Sequence, residues 1–150
     1  IPNTIFSQEL EIEMVQYEST EEALRYFFMH HLKHIDDRKS WPMRVWAREV
    51  TANPSENMLR LVREVGLPRI RALHQFFADY LGLNDCSDSR VSAAFLTSMG
   101  PVLLLWLVAP ELSNIVLPGF KTDPEKMRQL LIDRIMSGLK AQREAIQKKA

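Results

Sequence analysis

Apolar residues recur along most of this chain at helical spacing, and one stretch breaks the pattern by being apolar on nearly every side. From Ser19 to Ile35, residues Leu24, Phe27, Phe28, His31 and Ile35 fall on a single helical face. After Asn53, Met58, Leu59, Leu61, Val62 and Val65 line one run, and Ile70, Leu73, Phe76, Phe77, Tyr80 and Leu81 line the next. Met127, Leu130, Leu131, Ile135, Met136 and Leu139 give the last segment an apolar side. The exception is Asp88–Ala109, DSRVSAAFLTSMGPVLLLWLVA. A helix of that kind is buried in a core, in an oligomer or in lipid.

Its length would suffice for a bilayer, but Ser92, Thr97 and Ser98 interrupt the run and no basic cluster flanks it. Pro101, following Gly100, removes a backbone donor and is expected to bend the helix. The pattern therefore predicts a buried helix of a soluble bundle with two faces to cover. The chain's other helices can cover one, and a second subunit the other, homodimers being the commonest soluble oligomers.

Local signals place the boundaries. Ser19 and Glu22 have capping-box spacing. Asp36-Asp37-Arg38-Lys39 ends that helix. Ser40 can cap a shorter one over Trp41–Thr51, with Pro42 in its first turn. Asn53-Pro54-Ser55-Glu56 predicts a helix start with Asn53 as cap. Pro68, after Gly66, predicts a kink or break, and Gly82 a stop. Leu83–Asp88 reads as a polar loop, and Glu111–Lys121 as a loop or short turn of helix. Thr122 and Glu125, with Pro124 between them, predict the last helix start. Ile1–Gln16 fits two patterns. Leu10, Met14 and Tyr17 can line a helix, while Glu9–Glu13 alternates like a strand. With no second strand to pair with, a helix or connecting arm is favoured over residues 1–17, with one helical domain over residues 18–150. The expected architecture is an all-α antiparallel bundle of about six helices.

Composition narrows the function classes. A chain of 150 residues, 46% hydrophobic and 25% charged, suits one globular domain with a sizeable core. It opens on Ile1 and has no signal-peptide pattern, so a fragment or processed product is an open reading. The single cysteine, Cys86, excludes an intramolecular disulfide and a cysteine-based zinc site. A cytoplasmic location follows as an expectation. Formal net charge is zero, unlike the basic excess usual in nucleic-acid-binding domains. Acids crowd residues 1–20, and cations crowd the tail from Lys126 to Lys149, where they suit a helix end.

Candidate chemistry is sparse. His30 and His34 are four apart and could share a metal with a further donor such as Asp37, but no HExxH pattern is present. The simpler reading has His31 packed on the core and the other two partly wet, with no metal. No nucleophile with a base, paired acids or phosphate-cradling glycine loop appears, so neither catalytic residues nor a cofactor are expected. Trp41, Met43, Arg44, Trp46, Arg48 and Glu49 crowd the short helix. They serve as structural aromatics and ion pairs or, between helices, orient a ligand.

Arg44–Ser55, RVWAREVTANPS, resembles the R-x-x-x-R-E-x-x-x-N-P-S segment of TetR-type transcriptional regulators, in the C-terminal domain of the CecR (YbiH-like) subgroup. The order of elements is similar from Ser19 to about Leu139, whereas Ile1–Tyr17 departs from it. The resemblance implies a helical regulatory domain that dimerises through its last two long helices, with a separate N-terminal helix-turn-helix domain, absent from this sequence, contacting DNA. It also implies a small apolar or amphipathic effector. Candidate ligand contacts are Phe27, His31, Met43, Trp46, Glu49, Phe77, Met99 and Trp106. Candidate dimer contacts are Phe95, Val102, Trp106, Met127, Leu131 and Ile135. The rival expectation is a helical interaction module with no effector, and a small helical enzyme is a distant third.

Overall fold

The computed structural model describes residues 5–35, 48–49 and 51–150. Among these, every regular element is helical and none is a strand. In chain order they are α1 (Gln8–Met14), α2 (Thr20–Lys33), α3 (Glu56–Leu61) with a π-helical turn over Val62–Gly66, and α4 (Leu67–Leu81). Then come α5 (Ser89–Leu107), α6 (Pro110–Val116), α7 (Gly119–Thr122) and α8 (Pro124–Lys149). Four of them, α2, α4, α5 and α8, pack pairwise on one another and enclose the core, with α1 laid on α2 and α7 on α8. Of the short helix expected over 41–51, Arg48, Glu49 and Thr51 are helical and the rest lies outside the described residues.

The ends of the helices follow from their caps. Ser19 accepts from the Glu22 N–H at 3.2 Å, as its spacing predicts. Two starts fall later than the sequence suggests. Ser55, not Asn53, caps α3 by accepting from the Met58 N–H at 3.2 Å. Pro54 and Ser55 are themselves outside the helix, which begins at Glu56, so Ser55, extended at ψ 157, takes the cap. Likewise Asp123, not Thr122, caps α8 by accepting from the Lys126 N–H at 3.2 Å. The Thr122 hydroxyl instead donates to the Pro118 carbonyl at 3.3 Å and closes α7.

At Pro68 the helical backbone does not break, and a widened turn precedes it. The backbone stays right-handed helical at Leu61, Val62, Gly66 and Leu67, and the π turn leads directly into α4. A proline inside a helix lacks one donor and crowds the carbonyl four residues back. A π turn, with its longer hydrogen-bonded ring, lets the chain pass that point without stopping. Gly82 ends α4 as its type predicts. It sits at φ 74, the one positive φ among the described residues, and Leu83 N–H reaches back to the Ala78 carbonyl at 2.9 Å. Replacing Gly82 by alanine is expected to cost about 1 kcal/mol, because a Cβ disfavours left-handed backbone. Urea denaturation of the two forms checks it.

Within the N-terminal segment, ambiguous in sequence, Gln8–Met14 is helical and joined to the core. Phe6 is fully buried, and Leu10 and Met14 of α1 are buried behind it. Arg69 of α4 clamps this segment. Its Nε donates to the Phe6 carbonyl and its Nη2 to the Ser7 carbonyl, both at 3.1 Å. Nη2 also pairs with Glu11 at 2.7 Å, and the guanidinium lies 5.0 Å from the Phe6 ring centre. Two backbone bonds, an ion pair and a cation–π contact on one side chain fix α1 against α4.

The helix α5 runs uninterrupted through Pro101. By length and composition it could cross a membrane. Here Val91, Ala94, Ser98, Met99, Val102 and Leu105 are buried against the chain's own helices. Leu96, Leu104 and Leu107, on the remaining surface, are 67%, 60% and 39% exposed.

Candidate functional site

Two regions merit attention: the aromatic interior around His31, and the junction where α5, α6, α7 and α8 meet. The interior is a relay of edge-on rings. Phe6 meets Phe27 at 6.2 Å, Phe27 meets Phe28 at 5.3 Å, Phe28 meets Phe77 at 6.3 Å, and Phe77 meets Phe95 at 5.8 Å between ring centres. Such T-shaped pairs favour the ring quadrupoles as well as burying area. His31 belongs to this network. It is 2% exposed, lies 4.6 Å from the Phe27 ring and 5.7 Å from that of Trp106.

Its polar function is met within the chain. His31 Nε2–H donates to the Ile5 carbonyl at 2.6 Å, since a carbonyl can only accept. Burial drives its pKa down to about 4, against the opposing pull of that hydrogen bond. The ring is therefore neutral at pH 7. Trp106 is half-buried, and its Nε1–H is buried with no partner among the described residues.

These positions redraw the sequence-derived ligand set. Phe27, His31, Phe77 and Met99 do come together in the interior, but as closely packed core at 0 to 2% exposure. Met43 and Trp46 lie outside the described residues. Glu49 is turned to local use, with the Ser55 N–H donating to its carboxylate at 3.5 Å. Together with the Ser55 cap, this gives the Arg-Glu…Asn-Pro-Ser segment a structural role: the glutamate and the serine both hold the start of α3.

The histidine cluster on α2 is also internally engaged. His34 Nδ1–H donates to the His30 carbonyl at 2.7 Å, and burial lowers the His30 pKa. Among the described residues no group of three His, Cys, Asp or Glu side chains is arranged to hold a metal ion. Nearby, Tyr26 donates to the Glu13 carboxylate. That bond first, and desolvation second, push the Tyr26 pKa up to about 12.

A recess of about 80 Å³ lies at the second region. Its apolar walls are Ile35, Leu105, Phe120 and Pro124, and its polar side is Ser113, Asn114 and Arg128. Arg128 donates from Nη2 to Glu125 at 2.8 Å, and that bond holds the Glu125 carboxyl below its usual range. Arg128 Nε is buried and has no hydrogen-bond partner among the described residues. The sequence reading missed this group. The available signal was register: Arg128 stands four before Ile132 and seven before Ile135, on the buried face of α8.

The dimer residues named from the sequence also shift. Val102 and Ile135, at 1% and 8% exposure, belong to the chain's own core. Phe95, Trp106, Met127 and Leu131 are half-buried. Phe95 stacks edge-on with His74 at 4.6 Å. The apolar side chains that face outward on these two helices are Leu96, Leu104 and Leu107 of α5 and Leu130 of α8, the last 50% exposed. Following α5 in the chain, α6 exposes Leu112, Ile115 and Val116 at 54%, 78% and 65%. A helix apolar on every side carries no rhythm from which to choose its inner face.

No protein-family model matches the chain, and no match was found among curated proteins.

Proposed function

We propose that this chain is the regulatory and dimerisation domain of a TetR-type transcriptional repressor. In this reading it couples small-molecule binding to the DNA affinity of a separate helix-turn-helix domain. It is cytoplasmic, works as a homodimer and has no catalytic activity of its own. The observation that carries the reading is the outward apolar surface of α5 and α8. These are the two long helices that the resemblance assigns to the partner, they pack on each other, and they leave Leu96, Leu104, Leu107 and Leu130 toward solvent. Apolar side chains exposed on two helices that pack together are what an interaction site presents. A second copy turned by a two-fold axis would cover both helices with the same two helices, an isologous contact.

The mechanism is a shift of population. An effector that favours one arrangement of the bundle changes the separation of two attached DNA-binding heads, which must match half-sites about 34–36 Å apart on the duplex. The wild-type chain is expected to run at about twice its 17.4 kDa mass in light scattering. The double variant Leu96→Glu, Leu104→Glu should run at the single-chain mass with unchanged helical circular dichroism, because paired buried carboxylates without partners are costly. A wild-type chain that stays single at tens of micromolar would remove the assembly half of this reading.

A second reading is favoured by the packed interior. With Phe27, Phe77 and Met99 at 0 to 1% exposure, the bundle serves equally as a dimerisation module with no effector. Ligand binding separates the two readings, and the junction recess is where it is sought.

A further inference from the structure

We infer that the recess at the α5–α8 junction is a carboxylate-binding site, with Arg128 as its cationic anchor. The inference deepens the ligand-sensing reading above and rests on it for any regulatory consequence, though the binding itself can be measured independently. Three observations combine. First, the recess is amphipathic: Leu105 and Phe120 supply apolar wall, while Arg128 and Asn114 supply donors. Second, its volume of about 80 Å³ compares with about 30 Å³ for a water molecule. It therefore admits a carboxylate with the carbon or two behind it, and a longer apolar tail would leave through the mouth.

Third, Arg128 retains unused hydrogen-bonding capacity. A guanidinium carries five donors in a planar fork suited to carboxylates. Glu125 engages Nη2, and Nε is shut away from water without an acceptor among the described residues. A buried donor left unmade is unfavourable, and a turn of the side chain that brings Nε to an acceptor in the recess relieves it. The surrounding charge is compatible. Glu125 opposes an incoming anion, while Lys33 of α2 lies close enough to favour ionisation of Glu125. Arg128 and Lys33 balance Glu125 and Asp123, so no net negative charge stands against an anion. Asp123 already caps the first turn of α8, so the helix terminus is not part of the site. Ser113 donates its hydroxyl to the Pro110 carbonyl at 3.0 Å and forms wall, which leaves Asn114 as the second polar contact.

Two ligand sources share this chemistry: a free short-chain acid, and the carboxylate end of a longer amphipathic molecule. Titrating the 150-residue chain with butyrate, octanoate, butanol and butylammonium tells them apart. The readouts are calorimetry and the Arg128 Nε–H resonance. Butyrate is expected to shift that resonance saturably, and butanol and butylammonium to leave it in place. Octanoate binding more tightly than butyrate assigns the site to the longer ligand, and equal binding assigns it to the short acid. Arg128→Gln should weaken binding by about ten-fold or more, since it removes a charge-assisted fork. Glu125→Gln, at an exposed side chain, should strengthen it several-fold by removing the competing carboxylate, and it remains informative if Arg128→Gln does not fold. An unmoved Nε–H resonance with both acids, or equal affinity in wild type and Glu125→Gln, overturns the inference. A dimer that binds neither acid removes this site and leaves the assembly reading standing. Binding by a single-copy chain does the reverse.

Discussion

Truncating Phe27 to alanine is expected to lower stability by about 3–5 kcal/mol, the range for a large aromatic removed from a closed core. Phe27 is fully buried and stands where Phe6, Phe28 and His31 converge. Its loss opens a void between α2 and the segment before α1, and Phe6 loses an edge-on ring partner, keeping Phe76 among the described residues. Helices fixed at both ends by caps and by the Arg69 clamp cannot slide in to fill it, so the cost belongs at the upper part of that range. Phe76→Ala makes the comparison, because Phe76 is only partly buried and should cost less. Urea denaturation of both variants beside wild type measures the difference. Equal losses would show that the Phe27 interior collapses freely.

Acid is the second large perturbation. His31 titrates near 6.5 when unfolded and at about 4 when folded, because burial disfavours the imidazolium. Between those values the unfolded chain holds more protons than the native one. Stability from this group is therefore complete above pH 6.5 and falls as pH drops toward 4. The slope is about 1.4 kcal/mol per pH unit, and the full loss is about 3 kcal/mol. His30 and His74 are also lowered, desolvation being the first cause in each, and they act in the same direction. Denaturation between pH 7 and 5 avoids most carboxylate titration. His31→Gln, which keeps an N–H for the Ile5 carbonyl, should flatten the profile there. An unchanged slope in that variant would mean that another group carries the acid sensitivity. Proton resonances of the His31 ring give the folded pKa directly.

Much of the fold was legible along the chain, and the reasons can be read at single residues. Ser19, Gly82 and the run of Leu24, Phe27 and Phe28 act through local rules: a hydroxyl reaches an orphan donor, a glycine takes a left-handed turn, and apolar groups share a helical face. Each needs only a few neighbouring residues, and each is found where the sequence places it. The caps at Ser55 and Asp123 show the limit of such rules. Two candidate oxygens stand within a residue or two of each other, and the first residue to become helical in the folded chain chooses between them.

The site was less legible. His31 reads in sequence as a possible polar anchor, yet its hydrogen bond is taken by Ile5, a residue on a segment that the sequence left unassigned. Arg128 reads as one more cation in a basic helix, yet it lines a recess assembled from five separate stretches of chain. The outward face of α5 is the strongest case. Leu96 and Val102 are indistinguishable by composition, and one is exposed while the other is closed off.

The sequence by itself determined that the chain forms helices, where most of them stop, and that one is too apolar to stand alone. Those properties depend on interactions within about one helical turn. The tertiary structure alone decided which side of that helix is inside, which imidazole is kept neutral and which guanidinium is left with a spare donor. Those outcomes depend on partners brought from distant parts of the chain. Burial and desolvation exist only once these partners have met.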